Sequence, residues 1–291
     1  MDWKLTYEMA PEPPPAMQWE VYEKRAKRAW QKLLRSEAAK DENAIHAFLE
    51  QHPSFVPGAF SFPSSGHYPF PTAVISKPPL SALGIKIPDF LWIAVDSFTL
   101  YPVFVEIENP TKRWLTKNGS QHSDLSQAQT QLAQWKAWFS KPENQGVFLE
   151  NFQIPRRMRE LEFRPQYVLV HGSREEFDKQ PHMRALAAKF RREDEHLMTF
   201  NRLEPVWKAQ HCLCVKKTGS YYEAVSIPPT VELSPHVAMD WQHIRGKEEA
   251  AKASPWLTEE RRKFLIRRFA YWDQWAKNCD GNFASSSKSF E

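Results

Sequence analysis

Cysteine is scarce in this 291-residue chain: Cys212, Cys214 and Cys279 make an odd number that offers no disulfide framework and suits a reduced, cytoplasmic setting. No apolar run approaches the length of a membrane span. The opening Met1-Asp2-Trp3-Lys4 also lacks the apolar stretch of a signal peptide, so no membrane partner is expected. The loops G-x-x-x-x-G-K-[ST] and G-x-G-x-x-G are missing, which leaves triphosphate hydrolysis, dinucleotide binding and any nucleotide cofactor without support. Gly172-Ser173 follows an apolar run, but no G-x-S-x-G elbow surrounds it, which argues against a serine hydrolase. His211-Cys212-Leu213-Cys214 supplies three soft ligands and no fourth at a recognisable zinc spacing; a hairpin strand with alternating burial explains those cysteines more simply. Nor is charge of one sign in large excess. The 39 Lys and Arg against 35 Asp and Glu leave +4, which permits a polyanionic partner without requiring one.

What the chain does have is apolar mass. Hydrophobic residues make up 42%, with 12 Trp and 19 Phe, enough for one sizeable core or one domain with a smaller appendage. After Pro13-Pro14-Pro15 the spacing predicts a charged helix from about Gln18 to Ala39. Trp30, Leu33 and Leu34 give it a thin apolar stripe, and Lys24, Arg25, Lys27, Arg28, Lys32 and Arg35 crowd elsewhere. A second helix, about Asp41 to Gln51, carries Ile45, Phe48 and Leu49 on one face and stops before Pro53. Seven prolines between Pro53 and Pro79 predict an extended loop without regular structure. Two strands then flank the turn residues Asp96-Ser97-Phe98-Thr99, an antiparallel hairpin. A helix from Ser126 to about Phe139 repeats Ala128, Leu132, Trp135 and Phe139 as one buried stripe. Tyr167–Val170 reads as a buried strand, Pro181 to about Glu195 as a basic helix, and Leu197–Phe200 as a further strand. The middle is therefore β-β-α-β-α-β, a mixed sheet with helices against it. A second hairpin is expected around Lys217–Ser220, and a terminal helix from about Thr258 to Lys277 places Leu265, Phe269, Trp272 and Trp275 on one face and Arg261, Arg262, Lys263, Arg267 and Arg268 on the other. The Ser-rich tail from Ala284 to Glu291 is expected to be mobile.

Two acidic positions at the hairpin's open end carry the chemistry. Asp89 begins the first strand, and Glu106 and Glu108, two apart and so on one face, end the second. If the turn centres near Ser97-Phe98, Asp89 and Glu106 lie opposite each other. Three carboxylates converging on one edge repel unless a cation sits between them, which points to a divalent-metal site. A hard ion such as Mg²⁺ (or Mn²⁺) takes one or two carboxylates plus water and phosphate, so Asp89 and Glu106 suit it, and the carbonyl of Ile107 can add an oxygen. Taken singly, Asp89 reads sooner as a strand-start cap and the glutamates as a solvated face; as a set they favour the metal.

Pro88-Asp89, a hairpin-length gap and Glu106-Ile107-Glu108 resemble the PD-(D/E)XK nuclease motif. Gln131-Leu132-Ala133-Gln134-Trp135 resembles the Q-L-x-x-Y motif of some nucleases in that superfamily. Glu42 with Phe48-Leu49-Glu50-Gln51-His52-Pro53 is similar to the opening of the Shedu antiphage nuclease domain. Tyr167–Gly172 and Met198–Leu203 resemble that domain's closing strands, so the likeness runs from about Glu42 to Leu203. The resemblance implies a restriction-endonuclease-like α/β fold and a homo-oligomeric, dimeric or tetrameric, DNA-cleaving protein of bacterial antiphage defence. Its nuclease domain would span 40–205, with an N-terminal tail and helix over 1–39 and a C-terminal hairpin and helix over 206–291. The Trp-rich terminal helix has more apolar surface than a lone helix should show to water, so these added parts are expected to build an oligomer interface. Carried over, Glu42 is the helix acid, Asp89 and Glu106 are the metal ligands, and Gln131 sits beside the site. The family's lysine, two after the strand glutamate, is Glu108 here. Three outcomes follow from that departure: Glu108 accepts a proton from water or binds a second cation, as some active restriction enzymes suggest; Lys112 reaches back to replace the cation; or activity is lost, leaving a DNA-binding or assembly module. For Gln131 a solvent-facing position stays open, and for Glu42 a dipole-favouring first-turn acid. The basic clusters Arg156, Arg157 and Arg159, Arg191 and Arg192, and the arginines of the terminal helix can contact phosphates or simply solvate helix faces.

Overall fold

A computed structural model of the chain describes residues 6–62, 66, 68–80, 87–179, 181–279 and 291. The Ser-rich tail up to Phe290 and the opening Met1–Leu5 lie outside the described residues. Helices α1 (Trp19–Leu34) and α2 (Glu42–Gln51) precede strands β1 (Tyr68–Ser76), β2 (Phe90–Val95) and β3 (Thr99–Ile107). Helices α3 (Ser123–Phe139), α4 (Pro142–Asn151) and α5 (Arg156–Arg159) lead to β4 (Glu162–Phe163) and β5 (Gln166–Val170). Next come α6 (Glu175–Lys179), α7 (Pro181–Ala188), β6 (Glu195–Met198), β7 (Leu213–Thr218) and β8 (Tyr221–Ser226). The chain closes with α8 (Pro235–Trp241), β9 (Ile244–Arg245), α9 (Lys247–Ala253) and α10 (Glu259–Asn278).

Among the described residues the strands form one nine-stranded mixed sheet in the order β6-β5-β3-β2-β1-β7-β8-β9, with the short β4 beside β3. This is the mixed α/β sheet flanked by helices that the sequence predicts. Strands β2 and β3 are buried on both faces, which is why they read as near-continuous apolar runs. Odd and even positions serve different cores. Phe90, Trp92, Val103 and Val105 pack under α1 and α2 with Trp30, Ile45 and Leu49. Leu91, Ile93 and Phe104 pack on the other face with Leu132, Trp135 and Phe139 of α3.

Several expectations need correction. The proline-rich stretch from Pro53 to Pro79 contains β1, at the centre of the sheet, antiparallel to β2 and parallel to β7. Its pairing with β2 is irregular between Phe70 and Ile75, and that irregularity takes up Pro71, which could not donate to a regular ladder. The first helix ends at Leu34, with a separate 3-10 turn at Glu37–Lys40. The helix expected over Pro181 to Glu195 stops at Ala188, and Glu195 instead opens β6. The apolar face of α10 is covered within the chain: Phe264, Leu265, Phe269 and Trp272 are buried in the same core as α3. Nor is its arginine face uniformly solvated. Arg261 is 2% exposed, ion-paired with Glu291 and bonded to the carbonyls of Pro14 and Val231.

Candidate active site

The hairpin register decides the site. Phe90 pairs with Val105 and Val95 with Leu100, so the next pair at the open end is Asp89 with Glu106. Their side chains leave the sheet on the α3 face, as Leu91 and Phe104 do two residues away. Asp89 is 9% exposed, Glu106 6% and Glu108 7%. The Asp89 carboxylate is held at both oxygens: Oδ2 accepts from the backbone N–H of Ile107 (2.8 Å), and Oδ1 from Lys77 Nζ (2.5 Å). Lys77 follows β1 directly, and its N–H also donates to the Asp89 carbonyl (2.9 Å). That lysine lies in the segment expected to be a loop, and no motif pointed to it.

Glu108 leaves the sheet with its N–H bonded to the carbonyl of Val170 (2.9 Å). An Asx turn follows, in which Asn109 Oδ1 accepts from the N–H (2.8 Å) and hydroxyl (2.7 Å) of Thr111. Asn109 Nδ2 donates to the carbonyl of Lys40 (2.6 Å), tying the turn to the segment before α2. Lys112 is thereby folded back, and its Nζ donates to Glu108 and to Glu42 Oε1 (3.0 Å). Burial alone lowers an ammonium's pKa, but here the hydrogen bonds to Glu108 and Glu42 outweigh it and raise that of Lys112. The tightness of this corner shows at Gly172 just beyond β5. Its φ is +62°, and a Cβ there would stand 2.7 Å from the Lys112 carbonyl, so only glycine fits.

Helix α2 brings a second set of groups from the opposite layer. Asp41 caps it by accepting from the Asn43 N–H (2.9 Å), and Glu42, His46 and Glu50 follow at intervals of four on one flank. His46 stacks on Phe90, with centroids 4.6 Å apart, and its Nε2 lies 3.4 Å from the Asp89 carbonyl. Its pKa is lowered by burial first and then by the Lys77 charge. Glu50 Oε1 accepts from Ser76 Oγ (2.6 Å) and lies 3.4 Å from Lys216 Nζ. The four-residue spacing was legible in the sequence; what it packs against was not.

Gln131 is 4% exposed, so it does not face solvent. Gln129 on α3 reaches Glu195 of β6 (3.1 Å), and Gln131 lies about 200° further round the helix. Trp135 packs 6.1 Å from Phe104 on the same helix face. The Gln131 Nε2 is buried and has no hydrogen-bond partner among the described residues.

The carboxylate oxygens of Asp89 and Glu106 thus fit a hard cation in kind. Among the described residues no three His, Cys, Asp or Glu side chains are grouped to hold a metal alone. Two carboxylates with a carbonyl, water and phosphate are the set Mg²⁺ ordinarily uses. The soft-ligand alternative at His211, Cys212 and Cys214 has both of those cysteines fully buried in their strand region. Its His211 Nδ1 is already engaged by the Glu232 N–H (3.2 Å).

The family model described as "Shedu protein SduA, C-terminal" matches residues 39–203, more than half of the chain. No curated protein matches it.

Proposed function

The chain belongs to the Shedu SduA C-terminal family, and from that premise we propose that it is a metal-dependent DNA nuclease of bacterial antiphage defence, hydrolysing phosphodiester bonds. The observation that carries the reading is the β2–β3 register, which makes Asp89 and Glu106 neighbours at a buried sheet end. In this reading the arrangement is that of a PD-(D/E)XK nuclease. Asp89, Glu106 and the Ile107 carbonyl hold Mg²⁺ or Mn²⁺, and a bound ion of this kind acidifies a water and offsets charge on the phosphate. Lys77, half-exposed on a flexible stem, gives up Asp89 Oδ1 and turns to the phosphate. Glu108 accepts the proton of the attacking water, and Lys112 offsets the repulsion between Glu108 and Glu42 while supplying the positive charge the motif's lysine would bring. Gln131 donates its buried amide to a ligand or a phosphate oxygen. Assembly into a homo-oligomer belongs to the same proposal.

A second reading, a DNA-binding or assembly module that has lost cleavage, draws on one observation: Asp89 and Glu108 are each already neutralised by a lysine. Incubation of supercoiled and linear DNA with Mg²⁺, Mn²⁺ or EDTA separates the two. Metal-dependent cutting that Glu106→Ala abolishes is expected from the nuclease; binding without cutting by the wild-type protein would leave only the module.

A further inference from the structure

A cleft of about 720 Å³ opens at the carboxyl ends of the parallel strands β3, β5 and β6. Crevices of this kind, outside the strand ends of an α/β sheet, are where such folds bind ligands. One wall is α1 with its C-cap, where Lys27, Gln31 and the cap Arg35 stand at intervals of four, continued by Lys40. The other wall is the loop after β3, with Thr111, Lys112 and Arg113. Lys112 lines the cleft and also donates to Glu108 and Glu42 of the acidic site.

Three acids line the same cleft, but two of them are largely spent. Glu176 is consumed by the backbone N–H groups of Trp114 (3.0 Å) and Leu115 (3.1 Å) and by Arg113 at 3.8 Å. Glu204 pairs with Lys27 (3.2 Å). Arg35 has no ion pair among the described residues, and the Lys40–Glu37 pair is exposed on both sides, so it opposes a new partner only weakly. Lys27 is also paired with Glu23 (2.8 Å), and Lys112 and Arg113 are engaged by their own acids. The charge the cleft keeps available is therefore that of Arg35 and Lys40, against the exposed Glu175. The cleft's aromatic members Trp30 and Phe200 are 3% and 1% exposed, leaving no ring face on which a base could stack. A ligand here is read by charge along a backbone. From Lys27 to Arg35 the helix advances about 12 Å, room for about three base-pair steps of a duplex strand.

Resting on the nuclease reading, we infer that this cleft seats the DNA strand as it runs on from the cleavage site, with Arg35 and Lys40 on its backbone phosphates. Such contacts position the strand and are indifferent to sequence.

The test measures anisotropy of a fluorescein-labelled 20-base-pair duplex, of two unrelated sequences, in EDTA across a salt series. Plasmid cutting in Mg²⁺ is followed with the same preparations. Arg35→Glu/Lys40→Glu should weaken binding at least tenfold for both sequences and make the salt slope shallower by about two, with Arg35→Gln losing less. The control Lys252→Glu alters an exposed lysine on α9, which packs against β8 away from the cleft, and should bind within twofold of wild type. Melting temperatures check that each variant folds. If the double variant binds like wild type while Glu106-dependent cutting persists, the cleft assignment is wrong and the nuclease reading stands. If wild type binds without cutting and the double variant loses binding, the cleft is right and cleavage is not. A wild-type protein that neither binds nor cuts DNA overturns both.

Discussion

Replacing Lys112 by methionine keeps the stem and removes the ammonium that lies between Glu42 and Glu108. The Glu108 side chain is 9% exposed and that of Glu42 51%, so the two partners should respond very differently. Stranding a fully buried charge costs about 3–5 kcal/mol, but the lysine is itself a third exposed and water can enter where it leaves. A loss of about 2 kcal/mol is expected for Lys112→Met, which in a chain of this size lowers Tm by about 4 °C. Glu108→Gln should cost about 1 kcal/mol, because Lys112 keeps Glu42. The double variant should cost about 1.5 kcal/mol, less than the sum, giving a coupling of about 1.5 kcal/mol. The corresponding cycle with Glu42→Gln should couple by less than about 0.5 kcal/mol, as solvated pairs do. Because the lysine's pKa is raised on folding, this contribution is fully present below the ordinary lysine value and fades only as pH rises past it; the coupling should be the same at pH 7 and pH 9. Urea denaturation of the six proteins measures all of this. A Glu108 coupling below about 0.5 kcal/mol, or one smaller than that of Glu42, would refute the placement of Lys112.

Two further outcomes follow from buried polar groups. Gln131→Leu relieves a buried amide that lacks a hydrogen-bond partner among the described residues, so it should stabilise the fold by about 1 kcal/mol in urea while reducing DNA cleavage at least tenfold. A variant that is destabilised and fully active would contradict both roles. His52 is 2% exposed, lies 3.1 Å from the Tyr22 hydroxyl, and burial pushes its pKa down to about 4. A depressed histidine leaves stability intact above pH 6.5 and erodes it as pH falls toward 4, by about 2 kcal/mol at pH 5. His52→Gln should remove that part of the difference between urea midpoints at pH 7 and pH 5; an unchanged difference would show that the histidine is not buried in its neutral form.

The hairpin and its register were legible because they are local. Turn residues fix the fold-back point, and the two-residue period then decides which acids meet, so Asp89 opposite Glu106 follows from counting. The α3 stripe was legible for the same reason, at a period of 3.6. The reach of Lys112 lay within one loop and was available as an alternative from sequence. Strand β1 was hidden, since prolines that forbid a regular ladder are tolerated at an irregular pairing, and such pairings are set by the partner strands. Lys77, His46, Glu50 and Lys216 were missed with it, as each meets the site from a segment whose position depends on that strand or on the opposite helical layer.

The sequence by itself therefore determined the alternation of strands and helices, the pairing of the two acids at one sheet end and the departure at Glu108. Each of these is written in spacing along a short stretch of chain. Only the tertiary structure decided which lysines neutralise those acids, that Gln131 is buried with an amide unspent among the described residues, that Arg261 is an interior residue and that Lys112 also lines a cleft with Arg35 and Lys40. These depend on contacts between segments distant in the chain, whose geometry comes from how two cores close on the two faces of one sheet.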